Sequence, residues 1–91
     1  MTIIKLEYPI MHGELQINEL NIRRPVSKDL RNFCINDLDK FSKIQELVSK
    51  ITQLPMSVLD NLDIYDLKEC AVVLAGFLLN SQVTLENVLS T

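Results

Sequence analysis

Between Ile3 and Arg23 apolar and polar residues change places at nearly every step, and no other feature of the chain restricts its fold so sharply. Ile4, Leu6, Tyr8 and Ile10 fall on one side of an extended backbone and Lys5 and Glu7 on the other, which is the period of a strand. His12-Gly13 sits where a tight reversal is needed, glycine supplying the positive φ, and a second alternating run follows from Leu15. The two runs predict a β-hairpin over about residues 3–23. Leu15 and Ile17 share a phase from which Leu20 and Ile22 are displaced by one, so the pattern predicts a bulge near Asn18-Glu19. A hairpin alone is marginal in water, so its apolar face needs a cover.

The rest of the chain reads as helical. Pro25 ends the second strand because it has no N–H for a ladder, and Ser27 is placed to cap a short helical turn over about 28–33. Asn36 is the next cap candidate. Leu38, Phe41, Ile44, Leu47, Val48, Ile51 and Leu54 then recur at helical spacing, predicting an amphipathic helix over about 37–54 that closes before Pro55. A short connecting helix is expected over about 56–62. Asp63 caps a last helix over about 64–79, with Asp66 near the positive end of its dipole. The fold class predicted is α+β: an N-terminal β-hairpin packed on a small helical subdomain of three to four helices. Residues 1–80 form its single domain, and residues 81–91 are expected to be a flexible or partner-ordered tail.

Size favours binding over catalysis. With 91 residues and 47% apolar side chains the chain can build a core, but a domain this small buries only roughly 60 to 70% of its unfolded surface and leaves little room for a deep pocket. Its longest apolar run, Cys70 to Leu79, has ten residues, against the about 20 that a membrane span needs. Cys34 and Cys70 are far apart and no leader precedes the hairpin, which reads as a reduced, cytoplasmic protein. The formal charge of −3 is uneven, with a balance of +1 through Asn36 and −4 from Asp37 onward, which argues against wrapping nucleic acid.

No constellation of catalytic or metal-ligating residues emerges, and no cofactor is expected. His12 reads as a turn residue and the two cysteines as unpaired thiols. Asp60, Asp63, Asp66 and Glu69 recur every three residues, but without the turn glycine of a calcium loop they read as a cap and a solvated face. Arg23, Arg24, Lys28 and Arg31 form a small basic patch without aromatic interleaving, better suited to solvent or an acidic protein than to DNA. The most telling stretch is Cys70 to Leu79, which is apolar around most of its circumference and is therefore central to the core or shared with something else. Phe77, Leu78 and Leu79 at its end are candidate partner-binding residues. Val83, Leu85, Val88 and Leu89 in the tail extend that surface.

The order of these features resembles the short tail assembly chaperones of Mu-like contractile-tailed phages and prophages. The segments that carry the resemblance are KLEYPIMHGELQINELNIRRPVSKDL, LVSKITQLPMSVLDNLDIYDL and VVLAGFL. They contain the turn glycine Gly13; Leu20, Ile22, Arg23 and Pro25; the pair Asp29-Leu30; Leu54-Pro55; Leu62-Asp63 with Asp66; and Phe77-Leu78. The family often has glycine where Gln53 stands here. The resemblance implies a non-enzymatic chaperone that binds the tape measure protein, keeps it soluble and helps tail tube subunits assemble, in the cytoplasm of a bacterial host. The residues taken alone also fit a self-associating tail component whose seam is Cys70 to Leu79, and more distantly a DNA-binding regulator.

Overall fold

The computed structural model describes residues 2–79, with Ile35 described by its backbone alone. Two antiparallel strands, β1 (Thr2–His12) and β2 (Leu15–Ile22), lead into 3₁₀ turns at Ser27–Leu30 and Ile35–Asp39, and then into three helices, α1 (Phe41–Thr52), α2 (Met56–Leu59) and α3 (Ile64–Leu78). This is the expected α+β arrangement of a hairpin on a small helical part. The tail assigned to 81–91 lies outside the described residues.

Gly13 and Glu14 make the reversal, with His12 paired to Leu15. The turn is thus one residue later than His12-Gly13, and Gly13 takes its first central position with φ 67°, where a two-residue loop of the II′ kind needs glycine. Near the open end of the hairpin Thr2 pairs with Ile22 and Lys5 with Glu19, and towards the tip Ile10 pairs with Ile17. Between these stretches Leu6, Glu7, Tyr8 and Pro9 stand against Asn18 alone. The register breaks where the phase of β2 predicts, but the extra residues are in β1 and not at Asn18-Glu19. Pro9 has no N–H to donate, and the N–H groups of Glu7 and Tyr8 turn instead to the Asp66 carboxylate of α3, at 2.9 and 3.0 Å. The break also releases Tyr8 from the inner face: Ile4, Leu6 and Ile10 are buried while Tyr8 is exposed.

Aspartates cap both 3₁₀ turns from within, where the sequence pointed to Ser27 and Asn36. The Asp29 carboxylate reaches back to the Val26 N–H at 2.9 Å, and Asp37 does the same to Cys34 at 2.9 Å. As a result 28–33 is a single tight turn over Ser27–Leu30, and the helix expected over 37–54 is interrupted at Lys40, whose φ of −109° and ψ of 109° are extended. Phe41 consequently starts α1 from an exposed position, and the buried stripe is Ile44, Leu47, Val48 and Ile51. The connecting helix covers Met56–Leu59 and not 56–62.

α1 ends at Thr52, before Pro55 is reached, because Gln53 adopts the left-handed region with φ 62° and ψ 24° and donates its N–H to the Ser49 carbonyl. This conformation costs a residue with a Cβ roughly 1–2 kcal/mol, a cost that glycine escapes. Gln53→Gly is therefore expected to raise stability by about 0.5–1 kcal/mol, the rest being offset by the freer unfolded chain. Urea unfolding checks this, and a loss of stability would contradict the capping role.

One cluster of buried side chains joins the parts. Ile4, Leu6, Ile10, Leu20 and Ile22 from the hairpin meet the α1 stripe, Val58 and Leu59 of α2, and Leu67, Cys70 and Leu74 of α3. Each such side chain taken from water contributes about 1.5–3 kcal/mol.

Candidate functional site: the open face of α3 beside the edge of β1

α3 has two unlike faces. Asp66, Leu67, Cys70 and Leu74 face inward and are buried. On the opposite side Tyr65 is 50% and Val72 62% exposed, and Lys68 and Gly76 are exposed with them, a stripe at steps of three and four. The apolar run that sequence alone leaves either central or shared is thus covered along one face only.

The inward face is held by Asp66, which is completely buried and accepts both N–H groups from β1. The row Asp60, Asp63, Asp66 and Glu69 is therefore not one solvated face. Asp63 caps α3 by accepting from the Tyr65 N–H at 2.9 Å, and Asp66 ties α3 to the hairpin. Cys70 lies beside it, fully buried, and burial pushes its thiol up to about 12, so that it fills space as the neutral form. Cys34 is exposed.

Arg23 of the basic patch is engaged in an ion pair: its guanidinium meets Asp29 at 2.7 and 3.2 Å in a bidentate contact. Lys43 and Lys50 of α1 donate to the carbonyls of Asn32 and Arg31 and so fasten the loop that follows the first 3₁₀ turn. His12 is an exposed strand residue. Among the described residues no three His, Cys, Asp or Glu side chains come together as a metal site, and no helix is long and apolar enough to cross a membrane.

Two open hollows flank α3. One, of about 290 Å³, is bounded by residues 2–5 and Glu7 of β1 and by Tyr65, Glu69 and Val73 of α3. The other, of about 310 Å³, lies between Thr2, Arg24, Val73, Gly76 and Phe77. Thr2 and Val73 border both, which makes them one trough along the helix. Its Tyr65 end is acidic: the Glu69 carboxylate, as acceptor and as charge, lifts the Tyr65 hydroxyl above the usual tyrosine range, with Glu7 and Asp66 adding to it. A Cβ built on Gly76 meets no atom within 4 Å. This glycine stands in the last turn of α3, and no contact of the described fold demands it.

Of the candidate partner-binding residues, Phe77, Leu78 and Leu79 are half-buried, and Phe77 both packs against the core and borders the trough. Val83, Leu85, Val88 and Leu89 fall outside the described residues. The sequence singles out neither Tyr65 nor the edge of β1 as candidates, and takes in Val72 and Val73 only as part of the run Cys70 to Leu79. The one signal that could have found them is Gly76, a glycine in the last turn of a helix whose C-terminal half is otherwise apolar.

Residues 3–79 match the family described as phage tail assembly chaperone proteins, E, or 41 or 14. No curated protein and no solved structure matches the chain.

Proposed function

The chain belongs to the phage tail assembly chaperone family, and from that premise we propose that it acts by binding alone, holding a tape measure protein in solution while tail tube subunits assemble around it in the host cytoplasm. The observation that carries the client-binding part is the open stripe of α3. Val72 and Tyr65 leave apolar surface uncovered on a helix whose other face is fully used by the core. On this reading the client site takes in Phe77, Leu78 and Leu79, which follow in the chain, together with Val83, Leu85, Val88 and Leu89.

A co-expression pull-down with the tape measure protein of the same phage tests the reading, using the full chain and a chain ending at Asn80. Binding by the full chain alone places the contact in residues 81–91. Equal binding by both keeps the function and moves the contact to the folded part. No binding by either removes the client and leaves self-association across the α3 face as the alternative, to be read by sedimentation.

A further inference from the structure

We propose that an extended segment of the client adds to the free edge of β1 as a third strand, lying in the trough between that edge and α3 with a lysine or arginine set against Glu7 and Glu69. The proposal rests on the client-binding reading above and gives it a conformation and a place.

The trough exposes an edge of β1 and not a face. Side chains of consecutive strand residues point to opposite faces, so a hollow that touches Thr2, Ile3, Ile4 and Lys5 alike must look onto the backbone between them. These residues already pair with β2 through their other edge. An antiparallel ladder uses the N–H and C=O groups of alternate residues, so the remaining ones in this stretch point into the trough. Among the described residues no side chain or turn backbone bonds to them, whereas further along the same strand Asp66 takes the N–H groups of Glu7 and Tyr8. A strand edge beside a helix, open for about four residues or roughly 13 Å, is the geometry of strand addition.

Gly76 points the same way independently. Its missing side chain leaves the far end of the trough clear, and the fold itself has no atom there that a Cβ would touch. Charge then selects the occupant. Glu7 and Glu69 against Lys5 leave one end of the trough with an excess of one negative charge, and Arg24 makes the other basic. Residues 80–91 of this chain carry one acid, Glu86, and no base, so they do not answer the acidic end. A client segment with a basic residue at that end and apolar residues against Val73 does.

Gly76→Leu in the full chain fills the trough from the helix side, and Gly76→Ala does so by a single carbon. Both variants are expected to unfold at or above the temperature of the parent. In the co-expression pull-down Gly76→Leu is expected to lose binding at least tenfold, Gly76→Ala to lose a smaller part of it, and Glu69→Lys to weaken binding as well. Hydrogen exchange of the residue 2–5 amides is expected to slow at least tenfold in the complex. Wild-type binding by Gly76→Leu, or unchanged exchange at 2–5 in the complex, overturns strand addition while leaving the client reading intact. Protection at 2–5 in the free protein that vanishes on removing residues 81–91, or that grows with protein concentration, assigns the trough to the chain's own tail or to a second copy, and overturns it too. Failure of the parent chain to bind the client removes both readings together.

Discussion

Asp66→Asn is expected to lower stability by about 3 kcal/mol, nearly as much as Asp66→Ala, and to bring the thermal midpoint down by roughly 15 °C. The reason lies in the number of acceptors. Asp66 is completely buried and uses its two oxygens separately, Oδ1 for the Glu7 N–H at 2.9 Å and Oδ2 for the Tyr8 N–H at 3.0 Å. Asparagine keeps the shape but has one acceptor, and turns an NH₂ donor towards an N–H that needs an oxygen. One backbone donor in a part-buried place then loses its charged acceptor, a bond worth more than the modest net gain of an ordinary hydrogen bond. Alanine leaves both donors unanswered and a small void besides. Amide exchange should place the damage, with the Glu7 and Tyr8 protons exchanging faster in both variants than in the parent. A loss below about 1 kcal/mol in the asparagine variant would show that the strand finds its partners elsewhere.

The second large effect is at Asp29, and it depends on pH. The bidentate Arg23 guanidinium, followed by the Val26 N–H, holds this carboxyl below the usual aspartate range. Because its pKa is depressed on folding, the contribution is fully present above the unfolded value of about 4 and is lost as pH falls through the folded value. The cap at Asp37, lowered chiefly by the Cys34 N–H and then by Lys40, adds to the same acid limb. Asp29→Asn is expected to cost about 2 kcal/mol at neutral pH, the half-exposed Arg23 being partly screened by solvent. The variant and the parent should begin to converge below about pH 4 and meet only below the folded value. Denaturant midpoints measured at pH 7 and pH 3 check this, and a constant difference between the two proteins would place the ionised carboxylate outside the folding equilibrium.

Both aspartates show what a sequence reveals and what it withholds. The hairpin was legible because the alternation of Ile4, Leu6 and Ile10 reports a strand through local geometry, and α3 was legible because Asp63 and the apolar run mark its start and length. The caps were misassigned by one or two positions, since Ser27 and Asn36 look as suitable as Asp29 and Asp37 until the carboxylates are seen reaching back to Val26 and Cys34. Asp66 was beyond reach for another reason. At a helix start an aspartate is ordinary, and nothing local says that its partners are 59 and 58 residues away. Nor can helical periodicity decide which flank of an all-apolar helix stays uncovered. The half-buried Phe77 to Leu79 stand out in the sequence, yet the most exposed large apolar side chain on α3 is Val72.

The span from Glu7 to Asp66 also sets an order of events in synthesis. β1 leaves the ribosome early and can pair with β2 as soon as Ile22 is out, but the donors of Glu7 and Tyr8 have no protein acceptor until α3 has been made. Until then the middle of β1 stays hydrated and the hairpin can slip in register, because the three-residue offset in its pairing has nothing to pin it. Residue 66 is the latch, and it arrives last. A hairpin excised from this chain should therefore sample several registers, while the same strands in the finished protein keep one.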